Sequence, residues 1–193
     1  IYRFDEASGD TIVDGSDRAK NGTLIGGSRV TGVFGGAIKL ANASSGSATQ
    51  YVDLGTGVLQ GCSTDWTIAA WYNAAAVRYS GPIFIALDTE AAGSTTAVSM
   101  LRYAPNYKAG ASSLSLSWWD TKITNSAYAS YTLGLAQWHH VAITRSLANL
   151  NHYVDGTAIL TTIPSSKWDT SIDPDKLANA PQNYLGKNRT AGA

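Results

Sequence analysis

Short apolar runs, each bounded by glycine or by small polar residues, recur along the whole chain. Residues 113–120, with the sequence SLSLSWWD, alternate serine with leucine, which is the period-two pattern of a strand with one wet face. No apolar run approaches the roughly 18 residues that cross a membrane. The pattern therefore predicts many short strands, no long helix and no membrane insertion.

The composition agrees with an all-β chain. Only two of the 14 acidic residues are glutamates, whereas the 193 residues include 19 glycines, 10 tyrosines and 6 tryptophans. Aromatic residues favour strands, and glycines favour the turns between them. Basic and acidic residues balance at 14 each, so the sequence offers no basic surface for nucleic acid. A hydrophobic content of 44% is enough for one domain with a full core.

The spacing of the strand-like runs predicts a two-sheet antiparallel sandwich. The run at 65–73, DWTIAAWYN, is the most apolar and is predicted to be a central strand buried on both faces. Residues 106–113, NYKAGASS, predict a loop because they are small and polar. Asp155 and Gly156 stand between two strand-like segments and predict a type I′ hairpin turn.

Six phrases, in this order, resemble the laminin-G-like, concanavalin A-like jelly-roll superfamily. They are YRFDEASGDTIVDGSDRAKNGTLIGG, VFGGAIKL with YVDLG, DWTIAAWYN, WHHVAITRS, LNHYVDGTAI and YLGKN. The resemblance implies one jelly-roll domain over residues 1–193, and core positions for Trp66, Trp71 and Trp138. The superfold hosts lectins, adhesion modules and some glycosidases, so the resemblance does not specify a function.

One departure from the family pattern lies at the end of the sequence. Family members usually finish with a further strand, roughly Gly-x-Ile-Asp-Glu-Val-Arg-Ile-Tyr, whereas this sequence stops at RTAGA. We expect the domain to lack this final strand through truncation or processing, because the strand would bury much apolar surface. The alternatives are a longer polypeptide that continues beyond this sequence and a strand donated by a neighbouring partner.

The acids do not form a recognisable glycosidase motif. Retaining glycosidases need two carboxylates ~5–5.5 Å apart, and jelly-roll glucanases resembling this fold place acids at alternate positions of one strand, as Glu-x-Asp-x-Glu. No such motif occurs, and Pro174 breaks the strand on which Asp173 and Asp175 would have to lie. We therefore predict no catalytic residues and no enzymatic activity, with a glycoside hydrolase as the least favoured reading.

The segment DGSDRAKNG offers Asp14, Asp17 and Asn21 as oxygen ligands within eight positions. Many relatives of this fold bind a structural calcium ion at a loop edge, and hard cations prefer such oxygens. The alternative is a solvated turn in which these side chains cap backbone amides. A structural calcium ion is therefore a possible cofactor, and the sequence supports no other.

The histidines and the cysteine have structural interpretations. Cys62 is the only cysteine, which excludes an internal disulfide and a cysteine-based zinc site. His139 and His140 are neighbours on one strand-like run, so their side chains are predicted to face opposite ways, one bonded in the interior and one exposed. His152 is also predicted to be structural.

Sugar binding is the main functional prediction. Sugars offer flat CH faces for aromatic stacking and hydroxyls for hydrogen bonds. Leu114 and Leu116 share parity with Trp118, which predicts Trp118 in the core and Trp119 on the wetter face. The predicted ligand-binding residues are Trp119, Asp120, Tyr103 and Tyr107. In the alternative, Trp119 only covers a loop.

Together these patterns predict a non-catalytic recognition module, extracellular or displayed on a cell or virion surface. We expect its partner to be a glycan or a surface protein. We expect no binding to nucleic acid and no insertion into a membrane. The alternative is a structural or decoration module of a larger surface, capsid or fibre assembly, because a neutral surface rich in serine and threonine suits packing.

Overall fold

The computed structural model describes residues 1–42, 48–62, 65–75, 83–87, 99–108, 111–120, 123–131, 133–146, 149–159, 161–162 and 177–187. Within these ranges the chain forms strands that pair only in the antiparallel sense. Their bounds are β1 Thr11–Ile12, β2 Gly22–Ile25, β3 Ser28–Thr31, β4 Gly36–Lys39, β5 Tyr51–Asp53, β6 Trp66–Asn73, β7 Phe84–Leu87, β8 Ser99–Lys108, β9 Ala111–Asp120, β10 Ile123–Ser130, β11 Trp138–Ser146, β12 Asn149–Val154, β13 Thr157–Ile159, β14 Thr161–Thr162 and β15 Gln182–Leu185.

A nine-stranded sheet, here the large sheet, has the order β1-β2-β5-β15-β7-β8-β9-β10-β14. Its longest pairing joins β8 to β9, from Ser99 opposite Asp120 to Lys108 opposite Ala111. The loop predicted at 106–113 is therefore wrong, because residues 106–108 of β8 pair with residues 111–113 of β9. Tyr107 consequently lies on a strand, opposite Ser112, rather than beside a loop.

A four-stranded sheet, here the small sheet, has the order β13-β12-β11-β6. Burial alternates along β6 from buried Trp66 to exposed Asn73. The prediction of a central strand buried on both faces is therefore wrong, since within the described strands β6 ends the order and has one wet face. The turn between β12 and β13 has φ of 50° at Asp155 and 78° at Gly156, which confirms the positive-φ pair of the predicted type I′ hairpin.

The core lies between the two sheets, which confirms the predicted two-sheet sandwich. Tyr103 of β8 and His152 of β12 are both fully buried, and their ring centroids are 5.9 Å apart across the interface. Apolar side chains of both sheets complete the cluster, including Ile12, Leu24, Val52, Phe84, Val141, Ile143, Leu150 and Val154. Among the described residues, no helix is long and apolar enough to cross a membrane.

Candidate functional site

The small sheet has an outer face that points away from the core. Val141 and Ile143 of β11 are buried in the core cluster, so the alternate residues of the pleated strand point outward. Cross-strand partners share a face, which extends the assignment to the neighbouring strands. The outer face consists of Thr67, Ala69, Trp71, Asn73, Trp138, His140, Ala142, Thr144, Ser146, Asn149, Asn151, Tyr153 and Ala158.

An exposed cluster of rings, here the aromatic patch, lies at one end of the outer face and consists of Phe34, Trp71 and His140. Trp71 is 44% exposed and Phe34 is 76% exposed. The ring centroid of Trp71 lies 5.7 Å from that of Phe34, in an edge-on arrangement, and 5.3 Å from that of His140. Leaving such rings in water forgoes their burial energy, so the patch is a candidate for contact with a ligand.

The core position expected for Trp71 is wrong. Trp71 shares strand parity with exposed Thr67 and Asn73, whereas the core-facing set begins with buried Trp66. Trp138 is half-buried and lies opposite Asn73 on the outer face. Of the three tryptophans expected in the core, only Trp66 lies there, at 9% exposure. The sequence contains the signal for the exposure of Trp71: alternate residues of a strand share a face, so Trp71 lies on the face opposite to that of Trp66.

The β3–β4 hairpin brings Phe34 to the patch. The N–H of Gly32 donates to the carbonyl of Gly35 at 2.8 Å, and Gly35 has φ of 82°, a conformation that favours glycine. The N–H of Gly36 donates to a carboxylate oxygen of Asp5 at 2.8 Å, which ties the hairpin to the N-terminal segment. Phe34 is therefore held in place by a turn that its glycine neighbours permit.

Arg29 anchors the base of the same hairpin. Its guanidinium donates to a carboxylate oxygen of Glu6 at 2.7 Å and to the carbonyl oxygens of Gly9 and Thr11 at 3.0 and 2.9 Å. Burial raises the pKa of Glu6, but hydrogen bonds from Val13 N–H and from Arg29 outweigh it and lower that pKa overall. An open depression of about 440 Å³ lies here, lined by Phe4, Asp5, Glu6, Arg29, Val30, Thr31, Gly35 and Gly36.

The Asp155 turn holds the backbone of His140. Asp155 exchanges two 2.8 Å hydrogen bonds with His140, from its own N–H to the His140 carbonyl and from the His140 N–H to its carboxylate. The second carboxylate oxygen lies 2.8 Å from Nδ1 of His139, and that hydrogen bond lowers the pKa of Asp155. His139 and His140 are successive residues of β11 and face opposite ways, as predicted, with only His140 beside the patch. Both are half-buried, so the prediction that one of them is exposed is wrong.

Polar, uncharged side chains share the outer face with the rings: Asn73 lies two residues from Trp71, whereas Thr144 and Asn151 lie further along the face, at the level of Thr67. Asn73 and Asn151 are exposed, and Thr144 is half-buried opposite Asn151. Within the part of the chain that the structure describes, the side chains of these three residues form no hydrogen bond. Amide and hydroxyl groups beside exposed rings can donate to and accept from a polyhydroxylated ligand while its apolar face stacks on an aromatic ring.

Tyr103, one of the predicted ligand-binding residues, is not at the surface. It is 0% exposed, and burial raises the pKa of its hydroxyl. Its prediction as a ligand-binding residue is wrong because its ring fills the space between the sheets beside His152.

The other predicted ligand-binding residues are placed by their backbones alone. Trp119 lies on β9 opposite Met100 and Thr124, and Asp120 lies opposite Ser99 and Ile123. The side chains of Trp119, Asp120 and Tyr107 lie outside the described part of the structure, so their role stays a prediction.

Two of the three predicted calcium ligands, Asp14 and Asn21, act as turn caps. The Asp14 carboxylate accepts hydrogen bonds from Ile1 N, Ser16 N, Ser16 Oγ and Lys20 N at 2.6, 3.0, 2.8 and 3.1 Å. Burial raises the pKa of Asp14, but these hydrogen bonds lower it well below its usual range. Asn21 accepts from the N–H of Asp14 at 3.0 Å, and Asp17 is exposed.

These contacts correspond to the capping alternative and do not fit a cation at Asp14, whose two oxygens already face donors. The described residues contain no group of three or more His, Cys, Asp or Glu arranged to hold a metal ion. The structural calcium ion stays an untested prediction.

The fold and its sequence together define a class. The chain belongs to the concanavalin A-like lectin/glucanases superfamily, because the family model Laminin_G_3 matches residues 45–193. The match confirms the resemblance over most of the chain and leaves the opening phrase and VFGGAIKL, which lie before residue 45, outside it. No curated protein matches the chain.

A solved structure shares the fold. It is domain 4 of AbnA, a GH43 extracellular arabinanase from Geobacillus stearothermophilus, in complex with arabinotriose. The TM-score is 0.55 at 12% sequence identity, and the alignment covers 86% of this chain and 73% of that chain. At this identity the similarity shows a common fold alone.

Proposed function

We propose that this domain is a carbohydrate-recognition module that binds glycan on the outer face of the small sheet, with Trp71 as the central stacking residue. The observation that carries the proposal is the 44% exposure of Trp71 between Phe34 and His140. A sugar ring that stacks on an exposed indole removes apolar surface of both partners from water. For roughly 80 Å² of apolar surface this contributes about 2 kcal/mol.

The surroundings of Trp71 favour a sugar over a purely apolar ligand. Asn73 lies two residues from Trp71 on the same strand, and Thr144 of β11 and Asn151 of β12 lie on the same face at the level of Thr67, where the next sugar of a chain would reach them. Sugar hydroxyls need such partners, because a polar group that loses water without gaining a hydrogen bond costs about 1–3 kcal/mol. An apolar peptide would leave the same amides unpaired.

The structural neighbour supports the same function. The AbnA domain shares the sandwich and its structure contains arabinotriose, so this fold accommodates an oligosaccharide in at least one case. That domain is part of an extracellular arabinanase, which is consistent with an extracellular or surface-displayed location for this module.

We also infer that the module acts without catalysis. A glycosidase acid needs a raised pKa, whereas the described carboxyl groups with a clear shift, Glu6, Asp14 and Asp155, are all shifted downward. Each is held by hydrogen bonds of the fold. Asp88 and Glu90 are two residues apart but lie outside the described residues. Turnover of a polysaccharide that Glu90→Gln abolishes would contradict this inference.

Affinity electrophoresis tests the function. The wild-type chain and the variants Trp71→Ala and Trp119→Ala migrate through native gels that contain arabinan, galactan, xylan or no polysaccharide. We expect at least one polysaccharide to retard the wild type and Trp119→Ala, but not Trp71→Ala. Circular dichroism checks that each variant is folded.

The other outcomes are equally informative. Loss of retardation in Trp119→Ala alone would move the site to β9. No retardation of the wild type by these polysaccharides, or by glycans on an array, would contradict the proposal and favour a structural role or a protein partner.

A further inference from the structure

We propose, as a refinement that rests on the function proposed above, that the outer face selects uncharged glycan chains and rejects acidic ones. The proposal rests on the distribution of charged residues over the small sheet. Its strands β6, β11, β12 and β13 contain a single Asp, Glu, Lys or Arg residue, which is Arg145. Arg145 is 6% exposed and lies opposite Trp66, on the core side.

The outer face therefore presents no cation to a carboxylate or sulfate group. Acidic sugars are recognised by Arg or Lys through charge-assisted hydrogen bonds, and these groups are absent from the outer face as defined above. A carboxylate stacked against Trp71 would lose water without gaining a counterion, which is costly. Nearby Asp155 is itself an acid, and its lowered pKa keeps it anionic at neutral pH, which adds repulsion.

A neutral sugar meets none of these costs. In a neutral oligosaccharide, the CH face of one sugar can stack on Trp71 beside the amide of Asn73, and the hydroxyls of a following sugar can reach Thr144 and Asn151 further along the face.

The test uses isothermal titration calorimetry on the full chain at pH 8, in 20 mM and in 200 mM salt. The neutral probes are linear arabinan, galactan and xylan, and the acidic probes are polygalacturonate and alginate. We expect at least one neutral probe to bind tenfold or more tightly than either acidic probe. Its affinity should change less than twofold with salt, because no ion pair forms.

A charge placed on the outer face sharpens the test. Thr144→Lys adds an ammonium group beside Asn151, and Ser28→Lys adds the same charge to exposed Ser28 of β3 as the matched control. We expect Thr144→Lys, and not Ser28→Lys, to gain fivefold or more in affinity for polygalacturonate at 20 mM salt. That gain should shrink at 200 mM salt.

Each contrary result has a distinct meaning. Acidic probes that bind the wild type as tightly as neutral ones, with the binding lost in Trp71→Ala, would overturn the selectivity and leave glycan recognition standing. Equal behaviour of the two lysine variants, with Trp71→Ala still abolishing neutral-glycan binding, would overturn the refinement alone; equal behaviour with Trp71→Ala unaffected would also move the proposed binding site off the outer face. Failure of every probe to bind the wild type would refute the proposed function itself.

Discussion

The two faces of the small sheet each pair a histidine with an aromatic ring, and the two pairs behave as opposites. On the inner face, the rings of His152 and Tyr103 lie 5.9 Å apart and both residues are 0% exposed. On the outer face, the rings of His140 and Trp71 lie 5.3 Å apart and Trp71 is 44% exposed. Similar chemistry is therefore structural in one place and available to a ligand in the other.

The comparison teaches that residue type alone does not identify a stacking residue. Tyr103 was predicted as a ligand contact and the family resemblance implied a core position for Trp71, whereas the structure buries Tyr103 and exposes Trp71. What decides is the face of the strand on which each residue lies, because one step along a strand moves a side chain from core to solvent. Four predictions test the contrast, in order of decreasing effect.

Removing the inner ring should have the largest effect. Tyr103→Ala is expected to lower the free energy of unfolding by about 3–5 kcal/mol, because it leaves a large cavity between the sheets. Urea denaturation measures the change. Tyr103→Phe is the control and should alter stability by at most about 1 kcal/mol, since the Tyr103 hydroxyl has no hydrogen-bond partner among the described residues. A small cost for Tyr103→Ala together with weaker glycan binding would instead restore Tyr103 as a ligand contact.

Acidification should act on the inner histidine. Burial lowers the pKa of His152 to about 4, below the value of about 6.5 expected for unfolded histidine. Between these values the unfolded state binds a proton that the folded state does not, so stability falls as the pH falls from about 6.5 to about 4. The loss is about 1.4 kcal/mol for each pH unit, or about 3 kcal/mol in all.

Urea denaturation at several pH values measures this loss, and His152→Phe provides the comparison. In that variant the free energy of unfolding should change little between pH 6.5 and 4.5. The loss of stability near pH 4 and below should remain, because it comes from carboxyl groups with lowered pKa, such as Asp14 and Asp155. An unchanged slope would show that another group titrates.

Removing the outer ring should affect binding more than stability. Trp71→Ala is expected to weaken glycan binding by about 30-fold, the equivalent of about 2 kcal/mol of lost stacking. The free energy of unfolding should fall by about 1–2 kcal/mol, less than in Tyr103→Ala, because Trp71 is 44% exposed and loses only its contacts with Phe34 and His140. Calorimetric titration and urea denaturation measure the two quantities.

A matched control lies on the large sheet. There Tyr51 packs edge-on against Tyr184, and the Lys187 ammonium lies 4.3 and 4.1 Å from their ring centroids. Because Lys187 already covers both rings, Tyr51→Ala should leave glycan affinity unchanged. An equal loss of affinity in Tyr51→Ala and Trp71→Ala would remove the distinction between the covered rings and the open patch.

The smallest effect is expected at the hairpin tip. Phe34→Ala removes an edge-on neighbour of Trp71 and should weaken binding by about threefold, in line with about 0.5–1 kcal/mol for an aromatic pair. Val33→Ala truncates the adjacent exposed residue without removing a ring and should leave the affinity unchanged. A loss as large as that of Trp71→Ala would make Phe34 a principal contact.

The architecture could be predicted from local pattern. Alternation in SLSLSWWD indicated β9, Asp155-Gly156 indicated the hairpin turn, and adjacency placed His139 and His140 on opposite faces. These inferences need only neighbours in sequence, and the number of strand-like runs predicted the sandwich. The superfamily came from the resemblance of six phrases to a known family. The loop predicted at 106–113 failed because small polar residues also occupy strands when a long partner strand pairs with them.

The candidate site could be predicted only in part. Alternation along β6 puts Trp71 on the same face as Thr67 and Asn73, which are exposed. The resemblance to family core positions instead implied that Trp71 is buried. No local pattern links Phe34 to Trp71, since a separate hairpin brings them together. The hydrogen bonds of Asp155 to both histidines likewise depend on the register of β11 with β12.

The most direct test of the central claim is a map of the ligand contact by ¹H–¹⁵N NMR during titration of the labelled chain with arabinotriose or another neutral oligosaccharide that binds. If Trp71 stacks on the sugar, its indole N–H signal, assigned through Trp71→Phe, and amide signals of the outer face should shift together. The indole N–H signal of buried Trp66 should not shift. Shifts centred on Trp119 and its strand neighbours, with Trp71 unmoved, would contradict the account.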